Sequence, residues 1–339
     1  MIIDINTIKP KRIINRVRLL YSFISKKPYS NGLPLEVGIE IINKCNLRCI
    51  MCPYQDMIEH HTRPQKQMDF TLFKKIIDEI SSFVELVYLH GLGEPLLHPQ
   101  LWDFIKYAKE KGLRVGISTN ATLLTKKQSV ALLNSTVDYL ILALDGSSKT
   151  TYEKIRVGAN FQQVENNINT YLNLKRQSKK SPFTVLQFIT LNENEKEKEL
   201  FSKKWRIPGV DAIRIKSKID LRQENRNHQI EIDPYCFHLY RMLNILSDGT
   251  VVPCCNDIHG VYPLGNLQND HLITLWNNEK MAKLRKINFQ RQRQKIDLCR
   301  NCSYPQPTLI EIIGVLTFDH LTVKKLLSLF ENSIISKIL

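Results

Sequence analysis

Short runs of β-branched and other apolar residues alternate with longer helical patterns from about residue 36 onward. This alternation is typical of strand–helix units that pack as a parallel sheet covered by helices. Because six units are too few to close an eightfold barrel, the sequence predicts an α/β fold with a partial (β/α)6 barrel or an open curved sheet. The six predicted strands are Glu36–Asn43, Val84–His90, Leu113–Thr119, Val137–Leu144, Phe183–Thr190 and Val210–Lys216.

Three cysteines directly follow the first predicted strand. Cys45, Cys49 and Cys52 lie in CNLRCIMC with C-x3-C-x2-C spacing. Thiolates bind zinc and iron–sulfur clusters, and three of them leave one iron of a four-iron cluster open to a small molecule. The alternatives are a zinc site with His60 or His61 as the fourth ligand, and a set of reactive thiols.

The cysteine loop resembles the signature of the radical S-adenosylmethionine (SAM) superfamily, in which the open iron of a [4Fe–4S] cluster is chelated by SAM. Further segments at predicted strand ends are similar to SAM-contacting segments of that family, and together they cover residues 36–217. They are GLGEP with Gly91, Gly93 and Glu94, STNATLL with Ser118 and Asn120, LALDGSS with Asp145, and YEKIRVGANF with Arg156.

The resemblance implies a role for each segment. The glycine-rich turn would meet the SAM amino group, and STNATLL would contact its ribose and carboxylate, although Ala121 stands where the family often has glycine. Asp145 would accept a hydrogen bond from a ribose or substrate hydroxyl, and Arg156 would pair with the SAM carboxylate. A helix cap or a surface ion pair is the alternative for each of these two residues.

The same resemblance implies the reaction type. A reducing partner such as flavodoxin or ferredoxin would deliver one electron, SAM would be cleaved to methionine and a 5′-deoxyadenosyl radical, and that radical would abstract a substrate hydrogen. The protein would supply orientation and exclusion of water.

A second cysteine group follows the predicted barrel. Cys236, Cys254, Cys299 and Cys302 resemble the SPASM and shorter twitch extensions of the same superfamily, which implies one auxiliary [4Fe–4S] cluster with four protein ligands. A zinc site with four thiolates is the alternative. Cys255 is left over, and either donates a hydrogen atom to a substrate radical as a catalytic residue or is a buried small hydrophobe.

The net charge of the chain and its basic segments indicate which partners to expect. The net charge of +15 favours anionic partners, although AT-rich codon usage gives a similar excess. The basic stretch 280–300 contains only Phe289 as an aromatic residue, which disfavours nucleic acid as a partner. Residues 9–27 are basic with apolar residues at helical spacing, which predicts a helix. The favoured position is the barrel wall with a basic face in solvent, and the alternative is peripheral membrane contact.

The predicted domains are a basic amphipathic extension over 1–35, the barrel over 36–225, an auxiliary-cluster domain over 226–306 and a helical tail over 307–339. Met1 to Lys11 lack a secretory signal, and no apolar run spans a bilayer, so we expect a cytoplasmic protein.

A single auxiliary cluster suits the oxidation or epimerisation of a sugar-like or aminocyclitol-type small molecule. Peptide maturation is the main alternative, and only about 35 residues precede the first strand, which disfavours a separate peptide-binding domain. The other alternative is a basic nucleic-acid-binding or RNA-modifying iron–sulfur protein.

Overall fold

The computed structural model describes residues 10–217, 235–300 and 302. The predicted helical tail and the predicted boundary between residues 225 and 226 lie outside the described residues.

In the described part of the chain, nine strands form one sheet in the order β6-β5-β4-β3-β2-β1-β7-β8-β9. The first six strands are parallel and ordered as in the sequence, which confirms the predicted α/β fold. The strands are β1 Glu36–Ile39, β2 Leu86–Tyr88, β3 Arg114–Thr119, β4 Tyr139–Ala143, β5 Phe183–Thr190, β6 Ala212–Ser217, β7 Met242–Ile245, β8 Thr250–Val252 and β9 Gly265–Asn266.

The sheet continues into the region that carries the second cysteine group. Strand β7 pairs in parallel with β1, and β8 and β9 follow in antiparallel pairing. The auxiliary region is therefore joined to the barrel by backbone hydrogen bonds at its first strand.

Helices connect and cover the strands. They are α1 Pro10–Ile24, α2 Tyr54–Glu59, α3 Phe70–Ile80, α4 Leu101–Glu110, α5 Lys126–Asn134, α6 Lys149–Ile155, α7 Phe161–Gln177, α8 Lys198–Trp205, α9 His238–Arg241, α10 Leu272–Trp276, α11 Glu279–Phe289 and α12 Asp297–Arg300. Helix α3 shows the local rules: the Asp69 carboxylate caps the amide of Thr71, and Phe73, Ile76 and Ile80 are buried at helical spacing. No described helix is long and apolar enough to cross a membrane.

The two faces of the sheet have different cores. The face under the helices carries the large apolar core, whereas a smaller cluster of Leu86, Tyr139, Ile141 and Val185 lies on the other, concave face. Side chains alternate between faces along a strand. The register therefore places Ser118, Gln187, Arg214 and Lys216 on the concave face, with Ser118 and Lys216 near the carboxyl ends of their strands.

Helix α1 lies across the amino-terminal ends of the strands. Asn15 Nδ2 donates to the carbonyl of Leu33 at 2.9 Å, and Arg16 Nε donates to Glu85 Oε1 at 2.6 Å. Arg12 donates to the carbonyl of Gly112 at 3.1 Å. The predicted helix is confirmed, but the expectation that its basic face lies in solvent is wrong for Arg12 and Arg16, because both are buried against carbonyl and carboxylate acceptors.

Candidate active site

The cysteine loop 45–52 leaves the carboxyl end of β1 and is fixed by neighbouring backbone. Its Arg48 and Ile50 amides donate to the carbonyls of Val157 and Ile155 at 2.9 and 3.0 Å. The Cys52 amide donates to the Cys49 carbonyl at 3.0 Å, which closes a turn between these two cysteines. The loop is therefore tied to the end of α6, where Arg156 lies.

The three thiols of this loop lie close enough to influence one another electrostatically. Burial raises the pKa of Cys45 to about 12 and that of Cys52 to about 11. Burial also raises the pKa of Cys49, while a hydrogen bond and the charge of Arg156 act in the opposite direction. Three thiols on one short loop are a donor set that fits an iron–sulfur cluster, and binding of the cluster would release their protons.

The glycine-rich turn 91–95 packs against the chain that enters the cysteine loop. A Cβ at Gly93 would lie 2.3 Å from the carbonyl oxygen of Ile42 and 2.8 Å from that of Lys44. A Cβ at Gly91 would lie 2.6 Å from the side chain of Glu40. Only glycine allows this close approach, so both glycines are needed to set the turn beside the loop.

Glu94 joins this turn to the end of β3. Its carboxylate accepts from Thr119 Oγ1 at 2.7 Å and from the amides of Asn120 and Leu96 at 2.8 and 3.1 Å. Burial raises the pKa of Glu94, and the hydrogen bonds from Asn120 and Thr119 oppose that shift. In this structure Glu94 holds two predicted SAM-contacting segments together.

The segment 118–122 turns sharply beside the cysteine loop. Asn120 Nδ2 donates to Asn46 Oδ1 at 3.1 Å and lies 3.9 Å from Cys45 Sγ, while Thr122 Oγ1 donates to Asn120 Oδ1 at 2.6 Å. Ala121 has φ 60°, a left-handed conformation that favours glycine. This conformation explains why a glycine suits the position.

Asp145 and Arg156 form a buried ion pair. Arg156 Nε donates to Asp145 Oδ2 at 2.8 Å, and Asp145 Oδ1 accepts from the Ile189 amide at 2.7 Å. The Asp145 side chain is fully buried. The structure thus shows an ion pair, but a buried one and not the surface ion pair of the alternative. The contacts of both residues with SAM or substrate stay predictions.

The second thiol group is assembled from distant parts of the chain. Cys254 is within electrostatic reach of Cys236 and Cys299, and Cys236 is within reach of Cys302. Burial raises the pKa of Cys299 to about 12, and Arg293, which is buried, opposes this with its charge and a hydrogen bond. Asn256 Nδ2 donates to Cys302 Sγ at 3.2 Å. The structure thus brings all four predicted ligands together around a cationic side chain.

Among the described residues, no three His, Cys, Asp or Glu side chains lie close enough together to hold one metal ion. In a four-iron cluster each thiolate binds a different iron, so the ligands of a cluster can lie further apart than those of one ion. The zinc alternatives, including those with His60 or His61, stay predictions.

Cys255 lies between the second thiol group and the barrel. Its side chain is the exposed one among the cysteines, and its Sγ is 3.8 Å from Asn256 Oδ1. Burial of the sulfur atom raises the pKa of Cys255 to about 11, whereas the charge of Lys216 lowers it. Cys255 is therefore within electrostatic reach of Lys216 on β6, and its exposure does not fit the alternative of a buried small hydrophobe.

Sequence reasoning missed two buried charges that connect the regions. Arg63 forms a buried ion pair with Glu40 and donates to the carbonyl of Ile258 at 2.7 Å. Glu40 also accepts from the amides of Leu92 and Ser247 at 3.3 and 3.2 Å. The available signal for this ion pair was Glu40 itself. A carboxylate at the end of an apolar strand needs buried partners.

The chain matches two known family models in regions that contain these sites. Residues 39–202 match the radical SAM superfamily, and residues 236–303 match the iron–sulfur cluster-binding domain called SPASM. The chain is a member of the radical SAM superfamily. Its cofactors are SAM, the [4Fe–4S] cluster of the radical SAM domain and the auxiliary iron–sulfur clusters that a SPASM domain binds.

Two characterised radical SAM relatives cover most of the chain. A tungsten-containing aldehyde ferredoxin oxidoreductase cofactor-modifying protein from Pyrococcus furiosus is 26% identical over 78% of this chain and 86% of its own length. An S-adenosyl-L-methionine-dependent 2-deoxy-scyllo-inosamine dehydrogenase from Niallia circulans is 24% identical over 79% of this chain and 92% of its own length.

A solved radical SAM structure shares the fold. Streptococcus suis SuiB, bound to its precursor peptide SuiA, superposes with a TM-score of 0.62 at 14% identity, over 85% of this chain and 73% of SuiB. At this identity the likeness supports the fold alone.

Proposed function

We propose that this radical SAM enzyme oxidises or epimerises a polyhydroxylated small molecule of the sugar or aminocyclitol class. The observation that carries the proposal is the set of hydrogen-bonding side chains on the concave face of the sheet. Similarity to the dehydrogenase from Niallia circulans along most of both chains supports the same substrate class.

We propose that Cys45, Cys49 and Cys52 hold the SAM-binding cluster, with Gly91, Gly93, Glu94, Ser118, Asn120, Asp145 and Arg156 shaping the SAM site. Cys236, Cys254, Cys299 and Cys302 would hold the auxiliary cluster. The bound cofactors supply the 5′-deoxyadenosyl radical that abstracts hydrogen and the centre that accepts an electron.

The concave face offers donors and acceptors suited to hydroxyl groups. Ser118 and Lys216 lie there near strand ends, Gln187 lies there within β5, and Asn244 on β7 lies over Gly38. A Cβ at Gly38 would be 2.1 Å from Asn244 Oδ1, so this glycine makes room for the amide. A few convergent polar groups in a concavity are typical of sites that orient small polar ligands.

Oxidation of an alcohol to a ketone removes one hydrogen atom from carbon, one proton from the hydroxyl and one electron. We propose Lys216 Nζ as the acceptor of the proton. Burial lowers the pKa of Lys216, and the charge of Arg214 lowers it further, while Asp145 and Cys255 raise it. A lysine with a lowered pKa is neutral at a lower pH than usual and can then accept a proton.

This role has a pH signature. If neutral Lys216 is the base, product formation rises as pH increases through its pKa in the folded enzyme. Lys216→Met should remove this rise, and Lys216→Arg should leave binding largely intact while abolishing the rise, since arginine stays protonated. If both variants show the same pH profile as the wild type, Lys216 is not the base.

The variant Cys255→Ala distinguishes oxidation from epimerisation. In an epimerase the thiol would return a hydrogen atom to the substrate radical, so the product would be the inverted alcohol. Cys255→Ala should then stop product formation while SAM cleavage persists. In a dehydrogenase the same variant should still form the ketone.

The test is anaerobic turnover of a panel of cyclitols and sugars that carry deuterium on the carbons bearing hydroxyl groups. The proposal predicts deuterium in 5′-deoxyadenosine together with a ketone or an inverted alcohol. Absence of deuterium transfer from every member, with transfer from a deuterated peptide or nucleoside, would contradict the substrate class.

A further inference from the structure

We propose that the outer face of α1 is a docking surface for an anionic lipid bilayer. The outer face comprises Ile13, Ile14, Val17, Tyr21 and Ile24. This inference concerns a surface at the opposite end of the sheet from the Cys45–Cys52 loop and does not rest on the proposed reaction.

Helix α1 departs from the pattern of an ordinary surface helix. A helix on a globular protein normally turns its apolar stripe inward and its polar stripe to water. The inward side of α1 buries Leu19 in the core, but it also buries four polar residues, Arg12, Asn15, Arg16 and Ser22. The residues of the outer face are instead 46–63% exposed, with Val17 at 62% and Ile24 at 63%.

The buried polar side fixes this orientation. Arg16 pairs with the carboxylate of Glu85, which is itself buried, and Asn15 accepts from the Leu33 amide at 2.7 Å as well as donating to its carbonyl. Rotating the helix to bury the outer face would leave these groups without their partners, at a large cost. The apolar stripe is therefore held outward by the rest of the protein.

The exposure is concentrated on this helix. Other large apolar side chains that are exposed in the described residues stand on separate elements, such as Val130 on α5 and Leu200 on α8. Single exposed residues of this kind are ordinary, whereas several on one face mark an interaction surface.

Charge indicates which partner fits the outer face. Lys11, Arg18 and Lys26 are exposed beside it, and residues 9–27 contain no acidic residue. Lys27 lies over the ring of Tyr21, 4.6 Å from its centroid. A helix with an apolar stripe, an aromatic residue and basic neighbours is typical of segments that lie in the interface of an anionic membrane.

The position of α1 makes such docking compatible with catalysis. Its polar contacts include those with Leu33, Glu85 and Gly112, which precede strands. The ring of Phe23, near the end of α1, packs against Phe237, Tyr240 and Phe289. The cysteine loop and Lys216 lie at the carboxyl ends of the strands. Docking through the outer face would leave the mouth of the barrel pointing away from the bilayer.

The test is flotation of the purified full-length protein with vesicles made of equal parts phosphatidylcholine and phosphatidylglycerol. We expect the protein to float with these vesicles, to bind pure phosphatidylcholine vesicles much more weakly, and to dissociate as salt screens the charges. The double variant Val17→Gln and Ile24→Gln should bind at least about tenfold more weakly, because the side chains that enter the interface are lost.

The matched control is the double variant Val130→Gln and Leu200→Gln, which removes exposed apolar side chains from two other helices. It should bind vesicles as the wild type does, and all proteins should form 5′-deoxyadenosine at equal rates, which shows that they are folded. The proposal is overturned if the wild type does not float, if the two double variants bind equally, or if neutral vesicles bind as well as anionic ones. Loss of a dimer in the α1 variant without any vesicle binding would assign the face to a second copy of the chain instead.

Discussion

The two thiol groups are built in different ways. Cys45, Cys49 and Cys52 lie on one loop whose shape is set by short-range turns and by contacts with the end of α6. The second group is gathered from Cys236 to Cys302 and depends on β7 joining β1, on the β8–β9 extension and on buried Arg293. A local site can thus be read as a motif, whereas a site assembled from distant residues depends on the whole fold.

The two groups also differ in the ligands they offer. The first supplies three thiols beside the buried Asp145–Arg156 pair, which suits a cluster with one iron left for SAM. The second supplies four thiols and leaves Cys255 toward the barrel. This difference predicts that loss of a ligand from the first group stops formation of the 5′-deoxyadenosyl radical. Loss of a ligand from the second group should leave radical formation intact and stop only the formation of product.

The largest expected effect comes from the first group. Alanine at Cys45, Cys49 or Cys52 should reduce the formation of 5′-deoxyadenosine to background, because the cluster that delivers the electron is lost. The rate is measured by chromatography after anaerobic incubation with SAM and dithionite. Cys255→Ala is the matched control and should still cleave SAM. Full activity in any of the three ligand variants would remove the assignment of that cysteine.

Variants of the second group should separate SAM cleavage from product formation. The wild type should contain about eight irons per chain, and Cys236→Ala or Cys299→Ala about four, since one cubane is lost. These variants should continue to form 5′-deoxyadenosine without oxidised product. Iron analysis and product analysis on the same sample check both parts. A wild type that holds about four irons and one zinc would reject the auxiliary cluster.

The Arg63–Glu40 pair tests whether the two regions are joined energetically. Arg63→Met leaves Glu40 buried without its cation and should destabilise the protein by about 3–5 kcal/mol, measured by chemical denaturation. Lys106→Met is the matched control, because it breaks the exposed Lys106–Glu110 pair and should cost less than about 1 kcal/mol. Equal losses of unfolding free energy in the two variants would show that burial of the Glu40 carboxylate does not require Arg63.

The smallest expected effect concerns the backbone at Ala121. Ala121→Gly should change stability by less than about 1 kcal/mol, because relief of the left-handed conformation offsets the lost methyl group and the added chain entropy. Ala108→Gly, at an equally buried alanine in α4, should cost about 2 kcal/mol, because no strain is relieved there. Equal costs at both positions would contradict the strain at Ala121.

Much of the fold could be predicted from local pattern. The six barrel strands were found because β-branched runs alternate with helical segments, and the observed strands are mostly shorter because their ends turn into loops. The addition of β7 to β1 could not be predicted, because no short-range signal in Met242–Ile245 specifies its neighbour. The orientation of α1 was missed for a related reason: its buried arginines meet Glu85 and backbone carbonyls that are distant in sequence.

The candidate site shows the same division. The cysteines and glycines could be predicted because their spacing and backbone needs are local. Three buried contacts could not be predicted, because each joins residues from separate segments of the chain. They are the Asp145–Arg156 ion pair, the hydrogen bond from Thr119 to Glu94 and the Glu40–Arg63 ion pair. Their positions at the carboxyl ends of the strands were the only available indication.

The central claim is that one iron beside the Cys45–Cys52 loop is left open to SAM. Electron paramagnetic resonance of the anaerobically reduced protein, with and without SAM labelled at its amino nitrogen and carboxylate oxygens, tests this directly. We predict a changed cluster spectrum and hyperfine coupling from the labelled atoms. Identical spectra with and without SAM, and no coupling from the label, would contradict the account.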